Sequence, residues 1–204
     1  MSQVITGLRS FLSVPIIYEL FQRIMGAKRN RNYIIKKYFE PYDVKTILDI
    51  GCGPAEILYH LGDVDYFGFD ISNEYIEYAK KHHNGKGHFY AKYLTEDDLE
   101  WLPKFDLVLM YGVLHHLDDD VVENIISLAY KSLKPEGRLL TIDAAYDQDQ
   151  NFIAKYLVSK DRGRNVRTKD KYESFINKIF INNDVSIKHY RWIPYTHCIM
   201  EGKK

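Results

Sequence analysis

Asp49-Ile50-Gly51-Cys52-Gly53-Pro54-Ala55-Glu56 decides the reading of this chain. It follows directly on the apolar run Thr46–Ile50, so two glycines stand where a strand ends. Glycine there permits a tight turn and lets a ligand come close to the backbone. In a doubly wound sheet such a turn opens onto the crevice outside the carboxyl ends of the strands, where ligands bind. The run predicts a strand, a ligand-facing turn and a following helix.

Outward from this loop, apolar runs alternate with helical patterns. Asp65–Asp70, His88–Leu94, Asp106–Leu114 and Arg138–Asp143 read as further strands. Their continuous apolar character suits strands covered on both faces. Ser72 caps a helix running to about Lys81. Val121, Val122, Ile125, Ile126, Ala129 and Leu133 recur at helical spacing behind Asp118, Asp119 and Asp120, whose charges suit a helix N-terminus. Pro135 and Gly137 stop that helix. Asp184–Trp192 and His197–Glu201 read as a closing antiparallel hairpin. The whole predicts an α/β fold, a mostly parallel sheet with helices on both faces. Residues 1–45 form a helical extension and 46–204 the main domain. Leu8, Phe11, Leu12, Ile16, Ile17, Leu20, Phe21 and Ile24 give the extension an apolar stripe, suited to packing on the domain or to a lid over the site.

The loop's chemistry separates two ligand classes. A dinucleotide site uses Gly-x-Gly-x-x-Gly with a pyrophosphate at the helix N-terminus. Here the third glycine position is Glu56, and Asp49 stands immediately before the loop. Two carboxylates repel a pyrophosphate and suit a ligand bearing an ammonium and a sulfonium, as S-adenosylmethionine (SAM) does. Asp70 ends the second strand, placed to accept hydrogen bonds from ribose hydroxyls.

Five segments in order carry a resemblance. They are Leu48-Asp49-Ile50-Gly51-Cys52-Gly53, Gly68-Phe69-Asp70-Ile71-Ser72, Phe105-Asp106-Leu107-Val108, Val113-Leu114-His115-His116-Leu117 and Leu133-Lys134-Pro135-Glu136-Gly137-Arg138. Over Thr46–Asp143 the chain resembles the class I SAM-dependent methyltransferases, especially those acting on small molecules. The resemblance implies a doubly wound, Rossmann-like, seven-stranded sheet with the last strand antiparallel. It implies that Gly51 and Gly53 pass under the methionine part of SAM, that Asp70 holds the ribose, that Ile71 packs on the adenine and that Tyr111 lies near the cofactor. The chain departs from the family pattern twice. Ala55 replaces a frequent third glycine, and Tyr93 falls where an acidic residue often meets the adenine amine, leaving Asp97 or Asp98 as substitutes.

His115 and His116 follow the fourth strand, where an imidazole either takes a proton from the acceptor or shapes the pocket. Lys160, Arg162, Arg164, Arg167, Lys169 and Lys171 crowd the stretch after the fifth strand. Arg164 and Arg167 are expected to capture an anionic group of the acceptor, against the reading of a solvated basic loop. No metal is expected: His82, His83 and His88 flank glycines in what reads as a plain loop.

The 204 residues balance 28 Lys+Arg against 28 Asp+Glu, and so give no compositional argument for nucleic acid or an anionic surface. Two cysteines, Cys52 and Cys198, make no disulfide framework and fit the reduced cytoplasm. No apolar run is long enough to span a membrane. The function expected is SAM-dependent methyl transfer to an oxygen or nitrogen of a small acceptor. A catalytically silent SAM-binding or partner-binding module is the alternative, and Asp49 and Glu56 weigh against an NAD-dependent oxidoreductase.

Overall fold

The computed structural model describes residues 27–83, 85–161, 163–189 and 195–204. The apolar stripe of residues 8–24, and with it the lid, lies outside the described residues, as does Arg162. Helix α1 (Ala27–Tyr38) leads into β1 (Thr46–Ile50). There follow β2 (Asp65–Asp70), α2 (Asn73–His83), β3 (His88–Ala91), β4 (Phe105–Tyr111), α3 (Asp119–Ser132) and β5 (Leu133–Tyr146). The chain closes with α4 (Phe152–Ser159), β6 (Arg167–Thr168), α5 (Lys169–Ile176), β7 (Asn182–His189) and β8 (Thr196–Lys203).

The strands lie in the order β3-β2-β1-β4-β5-β8-β7, with the two-residue β6 pairing with the end of β5. Strands β1 to β5 run parallel, and β8 runs antiparallel between β5 and β7. The seven-stranded sheet with its antiparallel last strand is therefore present. The order reverses at β1 and β4, so the crevice opens between their carboxyl ends.

Period-2 alternation divides the core into two layers. Leu48, Phe67, Val108 and Met110 face one layer with α3 and α5; Ile47, Tyr66, Leu107 and Leu109 face the other with α1 and α2. In α1, Ile34, Ile35 and Tyr38 are buried, so this part of the N-terminal extension packs on the sheet.

Two expectations change. The glycine loop opens onto a single 3-10 turn, Glu56–His60, and no long helix follows. The segment 54–64 is too short to carry several helical turns and return to β2. The missing helix is compensated by α1, whose Arg31 pairs with Glu56. The second change is at β5, which begins at Leu133 rather than Arg138. The expected turn at Pro135–Gly137 is taken up as a bulge, with the register against β4 shifting between Phe105 and Leu107 and Glu136 at φ 67°.

Candidate functional site

The loop after β1 winds through three left-handed residues, Gly51 (φ 75°), Gly53 (φ 54°) and Ala55 (φ 54°). Gly51 N–H donates to Phe69 O at 2.7 Å, which ties the loop to β2. A Cβ on Gly51 would come within 2.5 Å of Val113 Cγ2, because the loop after β4 presses against it. Ala55 occupies the position where the resembling family often carries glycine. Its φ of 54° gives the reason for glycine there, since a left-handed residue with a Cβ costs roughly 1–2 kcal/mol.

Asp49 is buried, 3% exposed, with Oδ2 accepting the Tyr66 hydroxyl at 2.5 Å. Its Oδ1 is buried without a hydrogen-bond partner. Burial pushes its carboxyl up to about 7, opposed by the Tyr66 bond. A solitary carboxylate in this state gains from any cation beside it. Asp70 sits across the loop, Oδ2 accepting Gly53 N–H at 2.9 Å and Oδ1 accepting Ser72 N–H at 2.8 Å. Each oxygen keeps a lone pair. Ile71 is 40% exposed beside it, an apolar side chain left uncovered at the ligand edge. Tyr111, half-buried, ends β4. These six residues (Asp49, Gly51, Gly53, Asp70, Ile71 and Tyr111) thus line the carboxyl ends of three adjacent strands.

For the adenine amine, the exposed Asp97 remains the expectation. Asp98 cannot serve, because it is buried and its two oxygens already accept from Lys92, Trp101 Nε1, Thr95 N and Thr95 Oγ1. Tyr93 and Trp101 are both about half exposed on this side.

The second half of the site surrounds His115. Its ring is buried between two carboxylates, Nδ1 at 2.8 Å from Asp143 Oδ1 and Nε2 at 3.1 Å from Asp161 Oδ1. Asp161 also accepts Gly163 N–H at 2.7 Å and the Tyr195 hydroxyl. Burial disfavours the charged ring, yet the bonds and charges of Asp143 and Asp161 outweigh it and hold the pKa at about 9. His115 is therefore an imidazolium at neutral pH with both nitrogens engaged. With both nitrogens so engaged, His115 fits the second of the two roles expected for it, a clasp that shapes the pocket. His116, its ring centroid 4.2 Å away, keeps the base role as an open expectation. His197, half-buried on β8, is pushed down to about 4 by desolvation of its ring and stays neutral. The stabilisation from the His115 imidazolium is complete below its unfolded value near 6.5 and is lost as pH rises through about 9. The Tm of the wild type should therefore fall across pH 7–10, and His115→Gln should remove that component of the slope. Identical slopes would show that His115 is not charged in the native state.

His115, His116 and Asp161 offer ligand atoms within 4.8 Å of one another. The Nε2 side that would face a cation is filled by Asp161 Oδ1. His82 and His83 bond to Tyr78 O and Pro54 O, which gives them local roles.

Arg167 is corrected as an acceptor-binding residue. It is 7% exposed, and its five N–H groups reach Asp119 Oδ1 twice, Leu114 O, Leu117 O and Asn165 O. All of its donors are spent on tying the strand β6 to the loop after β4. Arg164 is exposed. Asp143, Asp161 and the partnership of Tyr66 with Asp49 were not singled out by sequence. Asp143 carried a signal, a carboxylate ending an apolar strand as Asp70 does.

The family described as "Methyltransferase domain" matches residues 48–139. Among curated proteins, a tRNA U34 carboxymethyltransferase of Pseudoalteromonas translucida is 30% identical over 135 residues, covering 64% of this chain and 40% of that protein. The chain spans between 35% and 53% of the length of the curated relatives it matches. Among solved structures, the plantazolicin methyltransferase BamL, in complex with a triazolic desmethylPZN analog and SAH, superposes with a TM-score of 0.68 at 13% identity. That match covers 96% of this chain and 93% of BamL. Human N-acetylserotonin methyltransferase in complex with SAM gives 0.64 at 19% identity, covering 91% of this chain and 55% of the human one.

Proposed function

We propose that the chain is a class I SAM-dependent methyltransferase and that it transfers the methyl group of SAM to an oxygen or nitrogen atom of a small molecule, a reading supported by the matched methyltransferase domain and by the fold. The observation that carries this reading is Asp49, a buried carboxylate with one unpartnered oxygen at the glycine loop. Such a group fits a cationic cofactor and repels a pyrophosphate. When bound, SAM supplies a carbon already activated toward a nucleophile by the adjoining sulfonium.

The chain's own residues bind and orient. Gly51 and Gly53 leave the backbone of the loop accessible, Asp49 favours the cofactor's positive charge, Asp70 takes the ribose hydroxyls, and Ile71 and Tyr111 flank the nucleoside. Positioning of this kind supplies roughly 7–11 kcal/mol of barrier reduction when the reacting atoms are held in line. Arg164, exposed in the segment over the carboxyl edge, is the arginine left to meet an anionic group on the acceptor.

Asp70→Ala should weaken binding of S-adenosylhomocysteine at least tenfold in calorimetry. It removes ribose hydrogen bonds to a charged group, roughly 1.5–3 kcal/mol each before water compensates. It also frees Gly53 N–H, which now holds the loop in shape. A folded Asp70→Ala protein with unchanged affinity would take Asp70 out of the site. The whole reading is tested by the same titration on the wild type, with NADH as the control: binding of NADH alone would overturn it.

A further inference from the structure

The groups beside the cofactor loop form one hydrogen-bonded ladder. It runs from Asp143 on β5, through His115 after β4, to Asp161 after α4, and ends at Tyr195 before β8. We propose that the open end of this ladder, Asp161 with Tyr195, receives the hydrogen borne by the acceptor's reacting atom. The methylated atom is then a hydroxyl oxygen or an amine nitrogen, and not a carboxylate oxygen. This rests on the methyl-transfer reading above.

Direction is the first argument. Asp143 and His115 are buried, 1% and 5% exposed, so nothing enters the ladder from their end. The Asp161 side chain is 20% exposed and Tyr195 is half-buried. Tyr195 spends its only hydrogen on Asp161 Oδ2, so its oxygen presents lone pairs alone. Asp161 Oδ1 is filled by His115 and Gly163, and Oδ2 keeps one lone pair. Every vacant position at the open end accepts a hydrogen and none donates one.

Charge is the second argument. Two carboxylates enclose one imidazolium, so the ladder carries a net negative charge. Arg167 and Lys171 both hold Asp119, and Arg164 stands exposed. A carboxylate as the reacting group would bring a second anion against Asp161, and neither Asp161 nor Tyr195 has a hydrogen left to offer it. A hydroxyl or amine brings the hydrogen that the site lacks.

Placement is the third. The loop carrying Asp161 is seated tightly on His115: a Cβ on Gly163 would stand 2.2 Å from His115 Cδ2 and 2.5 Å from its carbonyl oxygen. Asn165 N–H bonds to that same carbonyl at 3.0 Å. His115 in turn follows Val113, which touches Gly51. The ladder and the cofactor loop therefore share one wall.

The step balances without another reactant. The acceptor's lone pair forms the new bond to carbon as the carbon–sulfur bond breaks, and that electron pair stays on sulfur. A hydroxyl acceptor becomes an oxonium, far more acidic than any carboxylic acid, so its proton passes to Asp161 and then to solvent. An amine acceptor keeps its hydrogen bond to the same oxygens throughout.

The test is a panel of phenols, alcohols, amines and carboxylic acids incubated with full-length protein and methyl-labelled SAM. Wild type should label hydroxyl or amine members and no carboxylate. Asp161→Asn should lower kcat/KM for them at least 100-fold while binding of S-adenosylhomocysteine stays within about twofold. Tyr195→Phe, which keeps the ring, should lower it about tenfold, and decides the matter if Asp161→Asn does not fold. Labelled carboxylates overturn the inference. So does full activity in both variants, or a loss carried by His116→Gln alone. A panel with no hydroxyl or amine labelled, by a protein that binds S-adenosylhomocysteine, overturns it as well. Failure to bind S-adenosylhomocysteine would instead bring down the methyltransferase reading itself.

Discussion

Arg167→Ala should cost this protein roughly 2–5 kcal/mol, because buried carbonyls lose a charged donor at roughly 1–3 kcal/mol each. For a chain of this length that is a fall in Tm of roughly 10 °C. The guanidinium sits among Leu114 O, Leu117 O, Asn165 O and Asp119, and alanine would remove its bonds to all three carbonyls, of which Leu114 O keeps the Leu117 N–H. Asp119 is half exposed and keeps Lys171, so the burden falls on the carbonyls rather than on the carboxylate. Arg167→Lys should recover only part of the loss, because one ammonium cannot reproduce a planar fork that spans four residues. Thermal unfolding of the three proteins measures this. A loss under about 1 kcal/mol for alanine would mean that the arginine is not the fastener between β6 and the loop after β4.

Arg167 also shows where sequence reading stops. Its position in a basic run after the fifth strand suggested a ligand. Nothing in one dimension reveals that Leu114, Leu117 and Asp119, some fifty positions earlier, turn their carbonyls and carboxylate toward it. The proposed cofactor half of the site could be assigned from sequence because a local rule governs each part. Glycines mark the left-handed turns, and Asp70 ends an apolar run. The sheet order followed from alternation and from the resemblance. The proposed acceptor half gathers the ends of β4, β5, α4 and β8, and no spacing rule links Asp143, Asp161 and Tyr195. His115 illustrates the same limit electrostatically. A loop histidine reads either as a base or as a pocket-shaping group, and only the two carboxylates on its two nitrogens favour the second. The short turn after Gly53 escaped for a different reason. The pattern of glycines predicts a helix by habit of the fold, whereas the length of segment 54–64 forbids it, and Arg31 of α1 meets Glu56 instead.

Gly51→Ala and Gly53→Ala should separate stability from cofactor binding. At Gly51 two penalties add. A side chain at φ 75° is strained, and its Cβ would lie 2.5 Å from Val113 Cγ2 and 3.3 Å from Cγ1. Left-handed strain of roughly 1–2 kcal/mol and overpacking of roughly 1–3 kcal/mol give an expected loss of about 2–5 kcal/mol. The loop must move to relieve the clash, and Gly51 N–H leaves Phe69 O, so affinity for S-adenosylhomocysteine should fall at least 100-fold. Gly53 is different. Its φ of 54° matches that of Ala55, which the protein tolerates, and a Cβ there meets nothing within 4 Å. Gly53→Ala should therefore cost only about 1 kcal/mol in unfolding. If the cofactor's methionine part fills that open space, the added methyl still abolishes tight binding. A third protein, Gly51→Ala with Val113→Ala, removes the clash but not the strain, and should regain part of the stability. Calorimetric titration beside thermal unfolding reads both quantities. Should Gly53→Ala bind S-adenosylhomocysteine as the wild type does, the space beside Gly53 is not where the cofactor lies, and the loop holds the ligand by Asp49, Gly51 and Asp70 alone.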